Sequence, residues 1–97
     1  MHSTAAEKRK QKQIILVDDE VDFLEELGEM IELSGYKVVP FTSGDALLEQ
    51  LDAVQPALIV LDLKMPGKSG FEVADELRKR EKTRAVPIIV MTGFYTR

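Results

Sequence analysis

Residues 58–73 read LIVLDLKMPGKSGFEV. Leu58, Ile59, Val60 and Leu61 run straight into Asp62, and Met65-Pro66-Gly67 then turns the chain. Ser69 and Glu72 have the spacing of a capping box, in which each side chain satisfies a backbone N–H at a helix start. The stretch therefore reads strand, turn, helix. An uninterrupted apolar strand, taken here as 57–63, is buried on both faces, as in a parallel sheet. The helix presents Phe71, Ala74 and Leu77 inward. It ends on Arg78, Lys79 and Arg80, cations that suit the negative end of a helix dipole.

The same alternation extends in both directions. Residues 14–17, IILV, form a short β-branched strand ending in Asp18-Asp19-Glu20. In 21–35, VDFLEELGEMIELSG, residues Phe23, Leu24, Leu27, Met30 and Ile31 recur at helical spacing and Gly35 is a stop. Gly28 inside that helix costs about 1 kcal/mol relative to alanine. Residues 36–42, YKVVPFT, are a strand that Pro40 assigns to a sheet edge, because proline donates nothing to a ladder. A second helix starts at Ser43, carries Leu47, Leu48, Leu51 and Val54 on one face, and stops before Pro56. A fourth strand, VPIIVMTG, occupies 86–93. Strands alternating with helices imply a parallel sheet covered on both faces. In such sheets, sites form outside the carboxyl ends of the strands.

Composition narrows the chemistry. The 97 residues make at most one domain. A net charge of −4 argues against a general nucleic-acid binder. The absence of cysteine excludes disulfides and thiolate metal sites, and His2, in the N-terminal tail, is the only histidine. No run approaches the ~18 apolar residues of a membrane span, and the polar N-terminus does not resemble a signal peptide. The expected location is the cytoplasm, with no membrane contact. Residues 1–13 have no apolar face. Their basic cluster, Lys8, Arg9, Lys10 and Lys12, reads as a flexible solvated arm or as a contact for a phosphate backbone or an acidic partner.

The polar residues in the apolar strands all fall at carboxyl ends: Asp18 and Asp19, Asp62, and Thr92. Singly, each aspartate could be a helix cap or turn residue, and Thr92 an ordinary strand residue. On one rim they make a cluster. Carboxylates about 5–6 Å apart repel by roughly 3 kcal/mol per pair at an effective dielectric near 20. Such a group must take up a proton or bind a cation, and oxygen ligands select a hard one, Mg²⁺ before Zn²⁺. With a cation present, one carboxylate can attack phosphorus and form an aspartyl phosphate.

The blocks ILVDDE (15–20), LIVLDLKMPGKSGFEV (58–73) and PIIVMTG (87–93), with their spacing, are similar to the receiver domain of two-component response regulators. The resemblance implies a flavodoxin-like three-layer α/β/α fold with parallel strand order 2-1-3-4, residues 14–97 being the receiver domain. It implies Asp62 as phosphoacceptor, Asp19 as direct Mg²⁺ ligand, Asp18 as a ligand acting mainly through water, and the Lys64 carbonyl as a further ligand. Thr92 would contact the phosphoryl group. The donor would be a phosphohistidine on a sensor histidine kinase or phosphotransfer protein. Such a domain is a signalling phosphoacceptor that assists its own phosphorylation and dephosphorylation, and is not classed as an enzyme.

Complete receivers continue through a fourth helix, a fifth strand ending on a phosphate-clamping lysine, and a fifth helix. This sequence stops at Arg97, and Phe94 and Tyr95 come too early to be the aromatic switch residue. It is therefore expected to lack those elements, and an alternative reading is a phosphorylation-impaired protein-interaction module. An open fourth-strand edge would favour self-association. A haloacid-dehalogenase-type phosphatase would require Asp-x-Asp where Asp18 and Asp19 are adjacent. A dinucleotide binder would require glycines that VDDEVD (17–22) lacks.

Overall fold

The computed structural model describes residues 13–91. The N-terminal arm through residue 12, together with Thr92, Gly93, Phe94 and Tyr95, lies outside the described residues. The described chain runs β1 (Gln13–Val17), α1 (Val21–Leu33), β2 (Lys37–Phe41), α2 (Gly44–Glu49), a 3-10 turn (Leu51–Ala53), β3 (Pro56–Asp62), α3 (Gly70–Arg78) and β4 (Ile88–Met91). All pairings are parallel, in the order β2-β1-β3-β4. This is the flavodoxin-like order expected from the sequence, with three α-helices among the described residues.

Strand residues alternate between two cores, as pleating requires. Ile15 and Val17 of β1, with Ile59 and Leu61 of β3, pack under α2 and α3 against Leu47, Val73 and Leu77. Leu16 and Val60 point the other way, onto Leu24 of α1 and Val38 of β2. Full burial of such a side chain contributes about 1.5–3 kcal/mol, which is why the two central strands are the apolar ones.

Pro40 shows how the edge is accommodated. The Phe41 carbonyl accepts from the Asp18 N–H at 3.1 Å, so the polar groups of Phe41 face β1. Neighbouring residues of a strand face opposite sides, so those of Pro40 face outward. The missing N–H costs no ladder bond.

Several expectations need correction. Phe71 does not pack inward; it is 65% exposed. The capping box at Ser69 makes Gly70 the first helical residue, with the Ser69 hydroxyl accepting from the Glu72 N–H at 3.2 Å. Positions 70, 73, 74 and 77 then face the sheet, with Gly70, Val73 and Leu77 buried and Ala74 partly so. Met30 is also 65% exposed, because the inward stripe of α1 runs through Leu24, Leu27, Gly28 and Ile31. The second helix is not continuous: it breaks after Glu49 into the 3-10 turn, although Leu51 and Val54 still reach the core. β3 starts and ends one residue earlier than expected.

Arg78 does more than complement a helix dipole. Its Nη1 reaches the carbonyls of Arg84 (2.8 Å), Val86 (2.9 Å) and Thr83 (3.3 Å), tying the loop before β4 to the end of α3. The buried Thr83 hydroxyl donates to the Leu77 carbonyl at 2.6 Å. No helix among the described residues is long and apolar enough to cross a membrane.

Candidate functional site

Two loops at the carboxyl ends of β1 and β3 form the site. Asp18 follows β1 directly and is 1% exposed. Its N–H continues the pairing with β2, while its Oδ1 accepts from the Glu20 N–H at 2.9 Å. That short loop bond fixes the turn into α1, whose N-cap residue Glu20 makes no side-chain cap of its own. Asp19, between them, is exposed.

Asp62 is the last residue of β3 and is 3% exposed. The turn behind it folds back tightly. Leu63 donates to the Met91 carbonyl (2.8 Å), and Gly70 donates to the Leu63 carbonyl (3.0 Å). The Lys64 N–H lies 3.4 Å from Asp62 Oδ1, and the Lys64 residue is exposed. Gly67 has φ +78, the left-handed region that glycine enters without Cβ strain. Gly70 is required by contact: a Cβ there would collide with the Asp62 carbonyl oxygen. The sequence reading did not single out Gly70. Its signal was a glycine at the first position of a capped helix, where chain approach rather than helix propensity sets the residue.

One oxygen each from Asp18, Asp19 and Asp62 lies within 4.8 Å of the others. Two of the three side chains are nearly inaccessible to water. Charges about 5 Å apart repel by roughly 3 kcal/mol per pair at an effective dielectric near 20; the exposed Asp19 feels less of this because solvent screens it. A buried like-charge pair is costly without a counter-charge. The donor set is all oxygen, with no nitrogen or sulfur, and so fits a hard divalent cation. Thr92 lies outside the described residues; Met91, just before it in sequence, is paired with Asp62.

A doubly wound parallel sheet with clustered carboxylates at its carboxyl rim defines an α/β class whose chemistry sits at strand ends. The chain belongs to the response regulator receiver domain family, whose model matches residues 14–97. It is 37% identical over 83 residues to the probable transcriptional regulator ycf27 of Cyanophora paradoxa, covering 86% of this chain and 34% of that protein. The chain spans about a third of the length of the first two curated relatives it matches. Among solved structures, the response regulator TrrA from Thermotoga maritima, in complex with Mg²⁺-BeF, matches with 35% identity and a TM-score of 0.77, over 88% of this chain and 72% of that one. A complex of the histidine kinase ThkA with TrrA matches with 36% identity and a TM-score of 0.77, over 86% of this chain and 70% of that one.

Proposed function

We propose that the chain is a phosphoacceptor of a two-component relay, with Asp62 accepting a phosphoryl group from a phosphohistidine. The observation that carries this is the convergence of Asp18, Asp19 and Asp62 within 4.8 Å at the carboxyl rim. The likeness to TrrA, solved both with Mg²⁺-BeF and with a histidine kinase, supports the choice of cation and donor.

In this reading Asp19, Asp18, Asp62 and the Lys64 carbonyl hold Mg²⁺. The bound ion supplies charge neutralisation on the transferring phosphoryl oxygens. A carboxylate oxygen of Asp62 forms the new O–P bond as the P–N bond breaks, and that bond's electron pair returns to the imidazole nitrogen. Burial keeps the Asp62 carboxylate poorly solvated and directed out of the end of β3. Thr92 contacts the phosphoryl group. The receiver begins at Gln13, the first residue of β1 and one residue earlier than expected, with residues 1–12 as an arm, in the cytoplasm where such donors work. Self-association through the outer edge of β4 belongs to the same proposal. β4 is the last strand of the described sheet, and Ile89 on it is half exposed.

Incubation with acetyl phosphate and Mg²⁺ tests the acceptor. Intact mass should show one added phosphoryl group, lost in Asp62→Asn. An adduct that persists in that variant refutes the assignment. A folded wild-type protein that takes up no phosphoryl group would leave the interaction-module reading in its place.

A further inference from the structure

α1 carries Asp22, Glu25, Glu26, Glu29 and Glu32 and no lysine or arginine. Glu29 and Glu32 lie toward its carboxyl end, where the helix dipole favours cations and the last turn offers none. The ion pairs among the described residues are Lys68–Asp45, Lys79–Asp75 and Arg80–Glu76, all away from α1.

Three of these carboxylates rim a groove of about 410 Å³ between α1 and the outer edge of β2. Glu25, Glu29 and Glu32 line one side, over an apolar floor that includes Gly28, Val38 and Pro40. Packing does not force a glycine at 28. A Cβ there would meet Val38 Cγ1 at 3.6 Å, an ordinary contact. The residue leaves the floor flat instead.

The sequence holds a complementary segment. Lys8, Arg9, Lys10 and Lys12 immediately precede Gln13, the first residue of β1. Gln13 pairs with Lys37 at the start of β2, and only residues 34–36 separate Lys37 from the end of α1. The basic segment thus joins the sheet at the end of the groove lined by Glu32 and Glu29. An extended chain spans at most ~3.3–3.6 Å per residue, so residues 8–12 can cover about 17 Å. Glu25 and Glu32 are separated by roughly 10 Å along the helix at 1.5 Å per residue. Gln13 runs toward the carboxyl rim, so the segment leaves the sheet in the opposite sense and must turn back past Lys37. The reach beyond the helix span, about 7 Å, is what that turn has to use. Charge and starting point match. Lysine and arginine stems can lie on apolar surface while their heads stay at the rim.

We propose that residues 8–12 dock in this groove within the same chain, their cations against Glu25, Glu29 and Glu32. The contact is distinct from the Asp18–Asp19–Asp62 rim, and the inference stands whether or not Asp62 takes a phosphoryl group.

The chain has no cysteine, so Ala6→Cys gives a unique site for a nitroxide label in the full-length protein. At low salt, the amides of residues 28–33 and 37–39 should lose more than half their NMR intensity relative to the reduced label. The loss should vanish near 1 M salt, where the screening length is about 3 Å. It should also vanish when Lys8, Arg9, Lys10 and Lys12 are all changed to glutamine. Undiminished amides at low salt overturn the proposal, as does a loss indifferent to salt or to the four substitutions. Equal broadening when labelled chain is mixed with unlabelled, isotope-enriched chain also overturns it, because the arm of a second copy would then fill the groove.

Discussion

At the scale of single residues, Gly70 and Asp62 are locked together. Alanine at 70 puts its Cβ into the Asp62 carbonyl, so either α3 or the end of β3 must move. Overpacking of this kind costs about 1–3 kcal/mol. The urea midpoint of Gly70→Ala should fall by a corresponding amount, and its uptake of phosphoryl from acetyl phosphate should drop even where the protein remains folded. Gly28→Ala should behave in the opposite way. It removes a helix-interior glycine and makes only an ordinary contact with Val38, so it should raise stability by about 0.5–1 kcal/mol in the same denaturation assay. Asp62→Asn removes one negative charge from the acidic cluster. In metal-free buffer it should unfold at higher urea than the wild type, and that advantage should shrink as Mg²⁺ is added. A variant less stable than wild type without metal would show that hydrogen bonding at Asp62 outweighs its repulsion with Asp18 and Asp19.

Among the elements, the loop between α3 and β4 depends on one side chain. Arg78 reaches three carbonyls of that loop, at Thr83, Arg84 and Val86. Hydrogen bonds from a charged donor contribute about 1.5–3 kcal/mol. Arg78→Ala should lose stability on that order and speed hydrogen exchange at Val86, Ile88 and Ile89 ahead of the rest of the sheet. This role was not legible in the sequence, where Arg78, Lys79 and Arg80 look alike. Only Arg78 points back across its own loop; Lys79 and Arg80 pair with Asp75 and Glu76 one turn earlier. The strands and the edge position of Pro40 were legible because apolar runs and a missing donor leave few alternatives. The inward face of α3 is set by the cap and not by the bulk of Phe71, which is exposed. Counting from Ser69 places Gly70, Val73 and Leu77 inward. The acidic rim was legible because parallel topology brings strand ends together whatever the loops do. The tight approach of Gly70 was not, since it depends on how closely α3 sits against β3.

For the molecule as a whole, metal binding and folding should be linked. A ligand that binds only the native state stabilises it by about 2.7 kcal/mol at a hundredfold excess over its dissociation constant. Mg²⁺ should therefore raise the thermal midpoint of the wild type and have little effect on a chain carrying both Asp19→Ala and Asp62→Ala. An equal rise in both would place the cation elsewhere. Sedimentation equilibrium across a concentration series tests the β4 contact. Association should weaken when Ile89, half exposed on that strand, is changed to lysine.

The outward-facing Pro40 sets a limit on what such a contact can build. Growth by strand addition needs two receptive ends, one to seed from and one to extend. In the described sheet, the outward-facing Pro40 takes one N–H from the free edge of β2, while β4 carries no proline. Two copies meeting at β4 would bury both receptive ends and leave a β2 terminus on each flank. Such an assembly would favour a closed pair over a filament.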